Sequence, residues 1–454
     1  MKLALVGGGG FRAPTVWQSV ADVAEAIGLD EVVFQDLDAD RLDRIALVIE
    51  GLVRERGGGP RPRTTTSLDD AVEGSAFVLC AIRVGGLAGR IVDERVPLEC
   101  GVLGQETVGP GGIAFALRTV LAMRKIAAAV ARHAPRAWLL NFTNPSGVVT
   151  EAIMRLLGDR AVGVCDSPSA LCARVAAALG RPVGSLRFDY AGLNHVGWLL
   201  GVYSDGEDLL PGLLAEDGRL LRVEEARLFG ADELRTLGMI PNEYCVYYER
   251  SEEIMDAFRR AGATRAEALR SSQSEFFSGW GWTPREALAS WRAARDARHG
   301  TYMAEAWEAG PSKGPDGDLP APADEGPGQE GYAAIAGSFI QAVAAGGVRS
   351  LILDVANRGS VSSLDDDAVV EVPCVVGADG VRPVPAGALP ATQRALVTRV
   401  KEVERLVIRA AVERSSALAL DALAAHPLVP SRPLAERIWA GYMRGHPSLR
   451  QSMR

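Results

Sequence analysis

Apolar residues in the first part of the chain come in short runs separated by amphipathic stretches. Leu3–Val6 is such a run; it is followed by four glycines, Gly7–Gly10, and then by Ala13–Ile27, whose apolar positions recur at helical spacing. That order predicts strand, glycine turn, helix. Further strands are expected at Val32–Phe34, Ala76–Ile82, Ala137–Asn141 and Ala161–Cys165, with helices between them that include Ile113–His133 and Ser167–Leu179. Alternation of this kind is the pattern of a parallel sheet covered by helices. After about residue 190 the segments become longer and less regular. A Pro/Gly/Asp-rich stretch, Gly310–Gly331, has too little apolar content to pack and reads as a mobile loop. A helix is expected at Tyr332–Ala345, strands at Ser350–Val355 and Val369–Val376, and a helical region from Pro390 to the C-terminus. A chain of 454 residues is too long for one comfortable core, so two domains are expected, 1–190 and 191–454.

The glycine turn adds chemistry to the first unit. Glycine lets a phosphate approach the main chain, and the following helix presents the positive end of its dipole. Gly7, Gly8, Gly9 and Gly10, with Phe11 and Arg12, therefore form a candidate dinucleotide site. Asp36 stands just past the next strand, where such folds place a carboxylate on the adenosine ribose, and the expected cofactor is NAD. Gly7 and Gly9 fit the first two glycines of G-x-G-x-x-G, but Arg12 takes the third position, so the turn alone is also compatible with a plain strand-to-helix connection. The suspicious clusters all lie just past expected strands, among them Arg83–Gly86, Asn141–Asn144 and Cys165–Asp166. Arg83 is thereby expected close to the cofactor.

Composition narrows the class of partner. A formal charge of −8 argues against a nucleic-acid surface, and charge or glycine interrupts every apolar run well before a membrane span is reached. The sequence opens directly into a strand with none of the features of a secretory signal, which points to the cytoplasm. Its six cysteines show no metal-finger spacing and read as reduced, mostly buried thiols.

More specific than the turn are Gly104–Gln105–Glu106–Thr107 followed by Gly109–Gly112, the run Asn141–Phe142–Thr143–Asn144–Pro145, Cys165–Asp166, Gly192–Leu193–Asn194–His195 and Pro241–Asn242–Glu243–Tyr244. Val372–Pro373–Cys374–Val375–Val376–Gly377 and Leu389–Pro390 extend the pattern. In this order the chain resembles, almost end to end, the NAD-dependent family 4 glycoside hydrolases, which include 6-phospho-α-glucosidases, 6-phospho-β-glucosidases and α-galactosidases. The resemblance implies an α/β fold of lactate/malate dehydrogenase type: an N-terminal Rossmann-like dinucleotide-binding domain and a C-terminal α+β substrate and metal domain. It implies a departure from two-carboxylate glycosidases: oxidation at sugar carbon 3, proton abstraction at carbon 2, elimination of the glycosidic oxygen, water addition and re-reduction, with NAD and a divalent metal, usually manganese.

The resemblance also implies roles. Cys165 and His195 match the metal ligands, Tyr244 the base at carbon 2, and Asp166 the general acid. Arg90 and Arg265 match arginines on the sugar 6-phosphate, and Asn144 a residue on the sugar hydroxyls. Read without it, Cys165 is a buried thiol, His195 a core histidine and Asp166 a helix cap. Tyr247 and Tyr248 lie close enough in sequence to compete with Tyr244. The glycine-rich opening with Phe11–Arg12 and the Cys-Asp-Ser-Pro run favour 6-phospho-β-glucosidase. Aspartate at 166 points to the α-glucosidase branch, and α-galactosidase is a further alternative. The expected substrate is a small, phosphorylated glycoside, and the expected assembly a homodimer or homotetramer. Two readings of other classes are a malate- or lactate-like dehydrogenase and a catalytically silent NAD-binding regulator.

Overall fold

The computed structural model describes residues 1–279, 281–299, 303–310 and 331–453. Residues 311–330, most of the expected mobile loop Gly310–Gly331, lie outside the described residues.

Among the described residues one mixed sheet runs through the molecule. Its strands are β1 (Lys2–Val6), β2 (Glu31–Gln35), β3 (Arg61–Thr65), β4 (Phe77–Cys80), β5 (Trp138–Asn141), β6 (Ala161–Gly163), β7 (Arg187–Leu193), β8 (Val196–Ser204), β9 (Glu207–Asp208), β10 (Ile240–Pro241), β11 (Arg349–Ala356), β12 (Val369–Gly377) and β13 (Gly380–Pro383). The first six pair in parallel in the order β3-β2-β1-β4-β5-β6. This is the strand order of a dinucleotide-binding fold, in which ligands collect at the carboxyl ends beside β1 and β4, where the order reverses. From β6 the sheet continues antiparallel through β11, β12, β7, β8 and β10. The dinucleotide-fold half and the antiparallel half are therefore joined edge to edge, and position 190 falls inside β7.

The expected helices at Ala13–Ile27 and Ser167–Leu179 form with those bounds, and the others lie within a few residues of expectation. Leu3, Leu5, Val32, Phe34, Phe77 and Leu79 alternate onto one buried face of the parallel sheet. Two features were not anticipated. β3 has the sequence RPRTT and is mostly exposed, so an edge strand forms there without apolar alternation. The β7–β8 hairpin forms where irregular chain was expected.

The helix Gly331–Ala345 packs across the N-terminal half, where Phe339 is fully buried and meets Trp138 of β5 edge-on at 5.4 Å. Replacing it with alanine (Phe339→Ala) removes an aromatic side chain that nothing nearby can refill. The expected loss is about 3–5 kcal/mol of unfolding free energy, read as a lower urea midpoint; an unchanged midpoint would show that the packing of Phe339 on Trp138 does not hold this helix in place.

Candidate active site

The carboxyl ends of β1, β4 and β5 open into a cavity of about 1050 Å³. At its floor Gly7 follows β1 with φ at +93°, and a Cβ there would lie 2.5 Å from the Ala81 carbonyl oxygen, so only glycine fits. The turn is held by Gly7 and Gly8 amides donating to the Gln35 carbonyl at 2.8 and 2.7 Å, and Gly10 N donates to Gly7 O at 2.9 Å. Asp36 accepts from Gly9 N at 3.1 Å, which keeps its carboxylate at the lip of the cavity. Phe11 is buried against Phe276 and Trp291, and its carbonyl accepts from the Trp291 indole at 2.8 Å. The Arg12 guanidinium stands 4.7 Å above the Tyr332 ring.

The opposite wall is dominated by charge. Glu106 meets Arg83 at 2.9 Å and Arg90 at 2.5 Å, and Arg90 also donates from Nε to Glu94 at 2.6 Å. Burial opposes ionisation of Glu106, but the two guanidiniums outweigh it and hold its carboxyl far below the usual range. Burial likewise opposes the charge on Arg90, and Glu106 and Glu94 restore it. The second oxygen of Glu94 accepts from Ala266 N at 2.9 Å, which pins the helix Arg265–Ser278 beside Arg90 and places Arg265, its first residue, in the wall. That helix starts at a reciprocal cap between Thr264 and Glu267. Arg298 lines the same space, and its pKa is pushed down by burial and by Arg12, Arg265, Arg90 and Arg83.

At the end of β5, Asn141 accepts from Thr143 N at 2.9 Å and donates to Thr150 at 3.1 Å, and Thr143 receives Ile82 N at 3.0 Å. These bonds fix the loop that presents Asn144. Past β6, Asp166 precedes the helix Ser167–Leu179 without a side-chain capping bond and lines the cavity instead, which removes the capping explanation for it. Tyr244 also lines the cavity, its amide donating to Asn242 Oδ1 at 3.0 Å. Tyr247 spends its hydroxyl on Glu305 at 2.9 Å, and Tyr248 packs against His426 away from the main cavity, so Tyr244 is the best placed of the three.

Cys165 and His195 do not line the cavity; they sit one layer behind it. Each is 3% exposed. Cys165 adjoins Asp166 in the chain, and burial, with Glu371, Asp166 and Asp354 nearby, raises its thiol well above the ordinary value. His195 occupies the turn of the β7–β8 hairpin with φ at +67°, and its ring lies flat on Tyr244 at 3.6 Å between centroids and 4° between planes. Burial lowers its pKa to about 3, so the ring is neutral. Gly8 and Gly9 are also outside the lining: a Cβ on Gly8 would meet Phe34, and one on Gly9 would meet Asp36 and Arg41. The other predicted residues, Gly7, Gly10, Phe11, Arg12, Asp36, Arg83, Arg90, Asn144, Asp166, Tyr244 and Arg265, share the cavity. Sequence reasoning gave no role to Glu94, Arg298 or Tyr332. Glu106 at least sits inside a motif that drew attention; nothing local marks the others.

A model of family 4 glycosyl hydrolase matches residues 2–181, and one of the family 4 glycosyl hydrolase C-terminal domain matches residues 190–429. The chain belongs to the family 4 glycosyl hydrolases. Within that family it is 28% identical to a maltose-6'-phosphate glucosidase of Bacillus subtilis, over 96% of this chain and 94% of that protein. It is 29% identical to a probable 6-phospho-beta-glucosidase of the same organism, over 98% and 96%. A 6-phospho-beta glucosidase of Thermotoga maritima, solved with manganese, NAD+ and glucose-6-phosphate, superposes with a TM-score of 0.81 at 26% identity, covering both chains fully. Malate dehydrogenase of Plasmodium falciparum superposes with a TM-score of 0.51 at 12% identity, over 92% of this chain and 99% of that one, a likeness of fold that fits the expected dehydrogenase-type architecture. Family membership sets aside the dehydrogenase reading as a statement of activity. No helix among the described residues is long and apolar enough to cross a membrane.

Two outcomes follow from the electrostatics. Glu106→Gln leaves the buried guanidinium of Arg90 and the half-buried one of Arg83 without their shared charge, with an expected cost of up to about 3–5 kcal/mol in unfolding free energy; equal urea midpoints would refute that dependence. His195 takes up a proton on unfolding at any pH between about 3 and its ordinary value of 6.5. Its contribution is therefore complete above pH 6.5 and is lost as pH falls towards 3. Unfolding free energy measured from pH 6.5 to 4 should fall less steeply in His195→Asn, by up to about 1.4 kcal/mol per pH unit, and parallel slopes would count against a buried neutral ring.

Proposed function

We propose that this family 4 glycosyl hydrolase is a 6-phospho-β-glucosidase that works with NAD and a divalent metal. The observation that carries the reading is the gathering of Arg12, Arg83, Arg90, Arg265 and Arg298 in one cavity, although the chain as a whole carries a net charge of −8. Glu106 is shared between Arg83 and Arg90, and forked donors in this number suit a phosphate dianion. The glycine turn and Asp36 at the other end fit a dinucleotide, with backbone amides and the start of the helix Ala13–Ile27 towards its phosphates. The pair Cys165 and His195 fits a metal in its donor chemistry, a thiol and a neutral imidazole. Among the described residues no three His, Cys, Asp or Glu side chains converge, so further coordination positions fall to substrate and water. Manganese prefers harder ligands than thiolate, and affinity in the absence of substrate is expected to be modest.

NAD held at the glycine turn would supply reversible hydride chemistry at sugar carbon 3, and a divalent ion held by Cys165 and His195 would supply Lewis-acid polarisation of the carbon 3 oxygen. The chain's own residues do the rest. Arg90, Arg265 and Arg298 hold the phosphate end of the sugar, and Asn144 takes a sugar hydroxyl. Tyr244 removes the carbon 2 proton, and its stacking on His195 keeps the phenol beside the metal ligand. Asp166, aimed into the cavity rather than at the helix start, protonates the departing glycosidic oxygen. The same geometry serves a 6-phospho-α-glucosidase, and Asp166 together with the likeness to the maltose-6'-phosphate glucosidase supports that second reading.

The test is cleavage of α- and β-nitrophenyl glucosides, with and without a 6-phosphate, by protein supplied with NAD, Mn2+ and a thiol reductant. Expected are cleavage of the phosphorylated β-anomer, dependence on NAD without net NADH, and no cleavage when NAD is left out. Cleavage confined to unphosphorylated sugars would overturn the substrate class, and preference for the α-anomer would move the enzyme to the second reading. Arg265→Ala and Arg298→Ala should each raise KM for the phosphorylated substrate at least tenfold, about 1.4 kcal/mol. Tyr244→Phe should lower kcat by about 100-fold or more and reduce solvent deuterium exchange at carbon 2 in parallel.

A further inference from the structure

The motif Gly104–Gln105–Glu106–Thr107 with Gly109–Gly112 is only partly used by the chemistry above, since Glu106 alone has a charge role. Its other polar side chains form a relay that ends on His195. Gln105 Oε1 lies 2.6 Å from Thr107 N and 2.7 Å from Val108 N. Both are backbone donors, so this atom is the amide oxygen and cannot be its nitrogen. An amide oxygen only accepts. Thr107 Oγ1, 3.0 Å away, therefore donates its single proton to Gln105. The same hydroxyl oxygen is 2.9 Å from His195 Nδ1 and has only lone pairs left to offer there. His195 must supply the proton of that bond from Nδ1, which leaves the lone pair of the ring on Nε2.

We propose that Gln105 and Thr107 are positioning residues that fix His195 as the Nδ1–H tautomer and so reserve Nε2 for the divalent ion. The inference rests on the metal role given to His195 above. Two further constraints agree with it. The stack on Tyr244 fixes the plane of the ring, while the bond to Thr107 fixes its rotation within that plane. The relay itself is clamped: a Cβ on Gly111 would lie 2.1 Å from the Gln105 carbonyl oxygen, and one on Gly112 would lie 2.2 Å from that of Thr107. The first turn of the helix Pro110–His133 can thus press directly on the backbone of both residues, which is what the glycines of the motif allow. Orientation of a metal-binding histidine through its other nitrogen is worth about 10- to 100-fold in affinity where it has been removed.

The experiment has two parts on the full-length protein. In protein labelled with 15N-histidine and free of metal, the His195 resonances, assigned by their absence in His195→Ala, should show a protonated Nδ1 and an unprotonated Nε2; the reverse pattern overturns the proposal. Mn2+ binding is then followed through the spin-resonance signal of the free ion. Thr107→Val should weaken it about 10- to 100-fold, and Thr107→Ser, which keeps the hydroxyl, should restore it to within about threefold of the parent. If His195→Ala loses Mn2+ binding while Thr107→Val retains parental affinity, the relay is refuted and the metal role stands. If His195→Ala binds Mn2+ like the parent, the metal role fails and takes the proposal with it.

Discussion

Glu106 between Arg83 and Arg90 is the contact on which the cavity depends. Several guanidiniums in one partly dry space repel one another, and the pKa of Arg298 is depressed first by burial and then by that repulsion. A carboxylate shared by two of them lowers the local charge enough for the wall to fold, while leaving positive charge for a ligand. Glu94 extends the arrangement, since one oxygen holds Arg90 and the other receives the amide of Ala266. The helix Arg265–Ser278 is thereby anchored to the helix Gly86–Glu99, and Arg95 adds an ion pair with Glu267 between the same two helices. Buried ion pairs of this kind are poor sources of stability compared with apolar packing. Their use here is to bring cations from distant parts of the sequence to one place.

The sheet supplies the other constraint. Parallel strands in dinucleotide-fold order deliver the glycine turn, Arg83, Asn144 and Asp166 to one edge, because all four follow carboxyl ends. The antiparallel continuation brings the β7–β8 hairpin, and with it His195, against Tyr244. At the seam, Asp354 and Glu371 face each other across β11 and β12, and burial raises both carboxyls. Ser146 donates to Asp354 at 2.6 Å, a polar bond that joins the two halves, while Tyr190 and Asn194 donate to Glu371 at 3.0 and 3.2 Å within the antiparallel half.

Much of this was legible in the sequence where local physics decides it. The glycine turn, the helix Ala13–Ile27 and the alternation of runs led directly to the parallel half. β3 was not legible, because an exposed edge strand made of arginine, proline and threonine carries no apolar period. Nor could residue spacing have paired Cys165 with His195, a pairing that resemblance of motifs alone supplied. The meeting of Arg298 with the other cavity arginines left no trace in the sequence, since an arginine near the end of an amphipathic helix looks like any solvated charge. Placement one layer behind the cavity wall, seen for Cys165 and His195, is likewise a property of the assembled sheet.

The contrast between an acidic molecule and an arginine-rich cavity bears on how an anion would arrive. Over distances longer than a Debye length, about 8 Å at physiological ionic strength, salt screens the net negative charge, and a phosphorylated sugar meets little repulsion from the bulk of the surface. Inside the cavity the screening ions are largely excluded, and the attraction of the guanidiniums is felt at nearly full strength. Salt would therefore act on approach and on capture in opposite directions: it removes a long-range barrier at moderate ionic strength and competes for the arginines only when much higher.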